Sequence, residues 1–418
     1  MNAFVQRVDQ AAEALRELFP ATPLQENDYL SRKTGARVFL KREDLSPVRS
    51  YKLRGAFNFM RKAIAEGAGK EGFVCASAGN HAQGMAFACR HFSVRGTVFM
   101  PTTTPQQKIE KTKHFGGSWI EVQLHGDFFD ECYQAALDYS SARGALMVPP
   151  FDHPDIIEGQ ATVAHEIAEE MGNSLEGALV VLPVGGGGLA AGVTRFLQGI
   201  EAEARFAFAE PAGAPSFAQS LAAGRRVKLP QVDNFVDGAA VAEIGREPFK
   251  QLRKFSSESI YLVPENRLCS TITEMLNVEG IVLEPAGALA IDAFKDFQAK
   301  ELHGRTVVAI ISGGNFDFER LPEVKERSLR YKGLKKYFIF RFPQRPGALR
   351  DFLELLGPED DITRFEYLKK SARNFGSVLI GLETRDPRNF AVLLRHFDEA
   401  GWAYQDITDN ETIANFII

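Results

Sequence analysis

Cysteine is scarce in this sequence: four residues in 418, Cys75, Cys89, Cys132 and Cys269, scattered and without a CxxC pair. That spacing argues against a disulfide framework or a zinc ribbon and predicts buried thiols in a reducing cytosol. Also missing is any apolar run long enough to span a bilayer. The first residues lack the basic flank and apolar stretch of a signal peptide. The expectation is a cytoplasmic protein with no membrane partner. Basic excess is absent too. A net charge of −5 and a pI near 6.0 leave nothing to pull on a phosphate backbone, so no nucleic-acid partner is expected. Internal repeats and low-complexity segments do not occur. His165-Glu166 opens like a zinc-protease helix, but the residue four beyond His165 is Glu169. The pair therefore reads as a solvated helix face.

What is present is enough material for two or three packed domains, with 45% hydrophobic and 25% charged residues. Short apolar runs alternate with longer amphipathic ones. Val38-Phe39-Leu40, 72–77, 97–100, 178–184, 206–210 and 306–311 read as strands. Helical spacing surrounds 57–60, 85–89, 128–137 and 163–167. The alternation predicts an α/β fold with a mostly parallel sheet covered by helices, with ligands at the carboxyl ends of the strands.

Residues 325–336 are rich in Lys and Arg and poor in apolar side chains, as suits a linker. Beyond them the predicted order is strand 337–340, helix 347–356, strands 362–369 and 378–382, and helix 390–400. A tail, Ile413 to Ile418, is placed to close the sheet. This βαββαβ order is ferredoxin-like.

Three polar loops carry the chemistry. Gly185-Gly186-Gly187-Gly188-Leu189 follows an apolar strand and opens a helical run, so its backbone N–H groups can close on an anion. The same string satisfies the dinucleotide pattern GxGxxA, with Glu201 and Glu203 downstream, but a nicotinamide site leaves the other loops without a role. Ser77-Ala78-Gly79-Asn80-His81 also lies between strand and helix. There Ser77 and Asn80 are either N-caps or, with the loop amides, ligands for a carboxylate and a ring oxygen. Ser312-Gly313-Gly314-Asn315 ends the last strand and reads equally as a glycine turn. Lys52, in Ser50-Tyr51-Lys52-Leu53-Arg54-Gly55-Ala56, stands at the start of a helical pattern on which these loops can converge.

Taken with Glu284-Pro285-Ala286-Gly287-Ala288, these motifs run from residue 50 to 315 in one order. In that order the chain resembles pyridoxal-phosphate enzymes of fold type II (tryptophan synthase β-like), and within them the biosynthetic threonine dehydratases. The resemblance implies a two-subdomain, parallel-sheet catalytic domain over 1–325 with a smaller subdomain at about 40–145 inserted. It further implies a linker at 326–335 and an α+β ACT-like regulatory domain over 336–418. By carry-over, Lys52 is the Schiff-base lysine and the base for the substrate Cα–H. Asn80 bonds the phenolic oxygen of the cofactor, Gly185 to Leu189 form its phosphate cup and Ser312 meets its pyridine nitrogen. Ser77, Ala78, Gly79 and Asn80 hold the substrate carboxylate. A serine at the ring nitrogen favours elimination over a long-lived carbanion. Serine racemases of similar sequence carry a serine at the position of Ala78, and alanine cannot shuttle a proton.

The implied reaction is deamination of L-threonine to 2-oxobutanoate and ammonia, with L-serine as a further substrate. Other β-eliminations and threonine synthase chemistry stay open, since substrate choice depends on pocket shape. A non-catalytic amino-acid sensor has no use for Lys52. In some relatives a cation, K⁺ or Mg²⁺, sits where Glu210, Ala214 and Ser216 fall; otherwise these residues are a strand-end Glu and a Pro/Gly loop. Arg345-Pro346-Gly347 resembles the strand-to-helix turn of an ACT-like unit, which implies isoleucine, countered by valine, as effector. A dimerisation module without a ligand is the alternative. The family implies a homotetramer.

Overall fold

In the computed structural model, residues 2–367 and 374–410 are described. The chain divides after Asp317 into two compact units. The first contains β1 (Leu24–Glu26), β2 (Arg37–Arg42), β3 (Phe73–Ala76), β4 (Gly96–Met100), β5 (Ile120–Leu124) and β6 (Leu146–Met147). These are followed by β7 (Leu179–Pro183), β8 (Arg205–Pro211), β9 (Ile260–Val263) and β10 (Thr306–Ile311).

These strands form two sheets, ordered β1-β2-β10-β7-β8-β9 and β5-β4-β3-β6. All pairings are parallel except β1 with β2. The small sheet lies, in sequence, between β2 and β7 of the large one. The chain therefore leaves the large sheet at Arg42, passes through Lys52 and builds the small sheet before returning at Leu179. Strands β7 and β10 are buried almost throughout, as continuous apolar strands covered on both faces should be.

The helix Lys52–Ala65 crosses the helix Pro154–Met171 at very close range. A Cβ on Gly159 would lie 2.4 Å from the Arg54 carbonyl oxygen and 2.7 Å from Gly55 Cα. Only glycine permits that approach, so the position of Lys52 is fixed by backbone packing against the large sheet's helices. The four cysteines are free and buried, as expected. Among the described residues no helix is long and apolar enough to cross a membrane.

The stretch 326–335, expected as a linker, is instead mostly helical. The helix Leu321–Tyr331 starts with Pro at its first turn and buries Val324 and Ser328. Its charges are internally matched: Glu323 pairs with Arg320 and Arg327, and Glu326 with Lys335. A charge-rich sequence reads as linker when such pairing is invisible.

The second unit contains that helix, β11 (Lys335–Pro343), β12 (Asp361–Tyr367), β13 (Phe375–Glu383) and β14 (Tyr404–Asp406), with helices Ala348–Leu353 and Asn389–Glu399. The βαββαβ order is as expected, and the sheet runs β12-β13-β11-β14, all antiparallel. Among the described residues the last strand is Tyr404–Asp406; the tail 413–418 and the end of the 362–369 run lie outside them. Phe338, Phe340, Phe342, Phe352 and Phe397 fill its core with mostly edge-on ring contacts.

Candidate active site

Lys52 is the first residue of its helix, and its Nζ donates to the Pro150 carbonyl at 3.2 Å. The ammonium lies 5.9 Å from the centre of the Phe151 ring. Burial pulls its pKa down to about 8, while the Glu284 carboxyl acts in the opposite sense. The segment before Phe151 is held by His81, whose Nε2 bonds the Val148 carbonyl at 2.8 Å. Burial, helped by Lys52, pulls the His81 pKa down to about 4, so that imidazole is neutral at pH 7.

Phe151 joins Lys52 to the tetraglycine loop. This loop follows β7 and opens the helix Gly188–Gly199. A Cβ on Gly186 would stand 2.3 Å from the Phe151 ring, and one on Gly185 would stand 2.7 Å from Ala239 Cα. The backbone here is lined so closely that no side chain fits, which leaves its N–H groups as the recognition surface. Leu189 contributes only backbone, since its side chain is packed in the core.

Asn80 is the first residue of the helix Asn80–Phe92, and Gly79 precedes it without a side-chain cap. At Ser77, the hydroxyl accepts from Gly79 N–H at 3.2 Å and the backbone N–H donates to Phe99 at 3.0 Å. Ala78 is half-buried against the neighbouring core. A Cβ added at Gly79 would meet nothing within 4 Å, so the loop faces open space. Gly84, one turn on, packs on the backbone of Lys52 and Leu53. From β10, Ser312 accepts Tyr51 N–H at 3.2 Å through its carbonyl, and its hydroxyl donates to the Ala286 carbonyl at 3.1 Å. Ser50 and Gly313 form an antiparallel bridge. Lys52, Asn80, the glycine loop and Ser312 are thus brought to one place by the carboxyl ends of β3, β7 and β10.

Two further residues enter this site. Glu284 accepts from Asn80 Nδ2 at 2.7 Å, and Asn315 donates from Nδ2 to Asn80 Oδ1 at 2.8 Å. Burial and Asp237 push Glu284 up to about 7. Both residues stood inside motifs that sequence reading had singled out. Their side-chain directions were the missing signal.

Glu210, Ala214 and Ser216 gather elsewhere, where β8 turns into the helix Ser216–Ala222. The Glu210 carboxylate accepts from Phe217 N–H at 2.7 Å and Ala218 N–H at 3.0 Å, while burial pushes its pKa up to about 8. Among the described residues no group of three or more His, Cys, Asp or Glu could hold a metal. In the second unit, Arg345 pairs with Asp351 at 2.6 Å. With Gly347, Arg350, Phe342, Leu353 and Tyr367, Arg345 lines a cavity of about 430 Å³; Pro346 does not line it.

The His165-Glu166 pair is a correction. Glu166 is buried, not solvated, and binds Arg54, Lys41 and Arg16. Its partners come from distant segments that a helix-face reading cannot see.

Residues 15–313 match the family model described as pyridoxal-phosphate dependent enzyme, and 326–417 match the C-terminal regulatory domain of threonine dehydratase. The chain is 44% identical over 409 residues to a biosynthetic L-threonine dehydratase of Halalkalibacterium halodurans, covering 98% of this chain and 97% of the relative. It is 43% identical over 415 residues to that of Bacillus subtilis, covering 99% and 97%. Among solved structures, processed threonine deaminase isoform 2 of Solanum lycopersicum superposes with a TM-score of 0.71 at 37% identity, covering 78% of this chain and 93% of that one. Maize serine racemase superposes with a TM-score of 0.70 at 25% identity, covering 78% and 98%. The residues present suit pyridoxal phosphate: an amine of lowered pKa, a glycine cradle that excludes side chains, and polar groups from three strand ends around them. The chain belongs to the pyridoxal-phosphate-dependent enzymes, among the biosynthetic threonine dehydratases that carry a C-terminal regulatory domain.

Proposed function

We propose that this chain deaminates L-threonine to 2-oxobutanoate and ammonia, the first step of isoleucine biosynthesis, and that it also accepts L-serine. The observation that carries this is the link Lys52–Phe151–Gly186, which puts a half-buried amine beside an anion cradle, in a chain 43–44% identical to threonine dehydratases. Bound pyridoxal phosphate supplies an electron sink that acidifies the substrate Cα–H. With the cofactor bound, Lys52 would hold its aldehyde carbon and would serve as the base for the substrate Cα proton. The N–H groups of Gly185 to Leu189 hold the phosphate, Asn80 the phenolic oxygen and Ser312 the ring nitrogen. Ser77, Ala78, Gly79 and Asn80 hold the substrate carboxylate. Loss of water and later hydrolysis balance, so the net change is release of ammonia. Ala78 has no proton to deliver on the opposite face, which favours elimination over racemisation.

Isoleucine is the proposed effector, countered by valine, in the cavity at Arg345 and Gly347, whose apolar wall and arginines suit a branched amino acid. A cytoplasmic homotetramer is the proposed working form. The test is release of 2-oxo acid from threonine and serine, with and without isoleucine. Threonine turnover that isoleucine suppresses is expected, and a chain lacking 318–418 should keep turnover but lose suppression. No 2-oxo acid from either substrate sinks the assignment. Isoleucine insensitivity at every substrate concentration sinks only the regulatory half.

A cation is proposed at Glu210, Ala214 and Ser216, bound by one carboxylate and neutral oxygens. K⁺ or Mg²⁺ should then raise the melting temperature of the wild-type protein more than that of Glu210→Gln. Equal rises would remove the site.

A further inference from the structure

Glu284 has no part in the roles given above, yet it is buried in the middle of them. It precedes the helix Pro285–Asp292 at the capping position, where its side chain caps nothing. The carboxyl turns instead to Asn80, 204 residues away in sequence. Its hydrogen-bond partners are amides, not a cation: Asn80 Nδ2 and the backbone N–H of Asn315.

The polarity of this chain of bonds is fixed at its far end. Asn315 Nδ2 donates at 2.8 Å to the Val48 carbonyl, which can only accept. The same nitrogen donates to Asn80 Oδ1 at 2.8 Å, so that atom of Asn80 is the oxygen. Asn80 must then turn its nitrogen toward Glu284, and it does so at 2.7 Å. One N–H of that nitrogen is spent on the carboxylate. The other is the donor that the Asn80 side chain has left for the site. Glu284 and Asn315 thus hold the amide so that it offers N–H rather than C=O. An N–H is what an anionic or phenolic oxygen requires.

We propose that Glu284 is a positioning residue for the cofactor: through Asn80 it presents a fixed N–H to the ring oxygen, and its own proton tunes how that oxygen is held. The proposal rests on the assignment of Asn80 to the phenolic oxygen. Several titratable groups face Glu284 from the surrounding elements. Asp237 pushes it toward the protonated form and Lys108 pulls it back, while Lys52, Tyr51 and Lys111 feel its charge in turn. Burial dominates and leaves the carboxyl titrating near 7, so it is largely neutral below that pH and charged above it.

The absorbance of the bound cofactor reads this without turnover. The holoenzyme, Glu284→Gln, Glu284→Ala and Asn80→Ala are titrated from pH 5.5 to 9, with cofactor affinity measured by equilibrium dialysis and folding checked by circular dichroism. The wild-type band should show an inflection near neutral pH that Glu284→Gln lacks. Gln keeps an oxygen for Asn80, so its cofactor affinity should stay within about threefold. Glu284→Ala removes the acceptor and should weaken affinity about tenfold, the scale of one lost hydrogen bond. A Glu284→Gln band that titrates as wild type does overturns the proposal, and this variant decides even where Glu284→Ala misfolds. Asn80→Ala separates the two failures. Wild-type band and affinity in that variant overturn the assignment of Asn80 itself. A changed band there, with Glu284→Gln indistinguishable from wild type, overturns the role of Glu284 alone.

Discussion

Lys52→Ala should lower 2-oxo acid release by roughly 10⁴-fold or more, since general-base catalysis alone accounts for up to about that factor and covalent attachment is lost with it. The folded state should survive, because Lys52 donates a single hydrogen bond, to Pro150, and its helix is anchored by Gly55, Gly159 and Arg54 instead. Borohydride reduction followed by mass measurement should find the cofactor fixed to the wild-type chain and absent from the variant. Residual activity above about 1% of wild type would return the base to another residue. The lowered amine pKa adds a pH signature. With a pKa of about 8, about 10% of Lys52 is neutral at pH 7, against roughly 0.03% of an ordinary lysine. Covalent loading of cofactor-free protein should therefore quicken about tenfold per pH unit up to about 8 and then level. A rise that continues toward 10 would mean that burial does not lower this amine.

Much of the catalytic architecture can be read from one-dimensional patterns because its central strands are fully buried. β7 and β10 are unbroken apolar runs, and each is followed by its glycine-rich loop. The strands that escape such reading are β1, β5, β6 and β9, which are only partly buried and, apart from β5, short, so their burial leaves little periodic trace. The last described strand of the second unit escapes for another reason: Tyr404–Asp406, at the edge beside β11, is polar and only three residues long. In the site, motif order reached Lys52, Asn80 and the loops, because each is tied to a strand end by local sequence. It did not reach the pairing of Glu284 with Asn80, which depends on the convergence of the loop after β3 with a connection between two helices far along the chain. Glu166 shows the same limit, since what makes it interior is Arg54, 112 residues earlier.

That arginine carries the largest expected effect on stability. Arg54 is two residues from Lys52 and buried, and its guanidinium donates to both oxygens of Glu43 and both of Glu166. It also reaches Thr162 and Thr22, and Lys41 and Arg16 complete the cluster around Glu166. A buried set of charges like this is worth little against a well-packed apolar replacement, but removing one member is costly. Arg54→Met leaves Glu43 without its cation and should cost about 3–5 kcal/mol of folding stability. The cost should depend on pH in a definite sense. Burial raises the Glu166 pKa, but Arg54 and Lys41 outweigh it and hold that carboxyl below its ordinary range. In the wild type this depressed acid contributes stability above its unfolded pKa, lost only as the pH falls toward its folded value. Without Arg54 the Glu166 carboxyl loses most of that support and its pKa rises, so that charging it opposes folding at neutral pH, while Glu43 is left as a buried charge without its cation. The gap in melting temperature between wild type and Arg54→Met should thus be widest at pH 8 and narrow toward pH 5. Glu43→Gln added to Arg54→Met removes one stranded charge and should recover part of the loss. A gap that is constant across this range, with no recovery in the double variant, would mean that Arg54 acts by packing against Phe19, whose ring lies 5.3 Å from the guanidinium, rather than by charge.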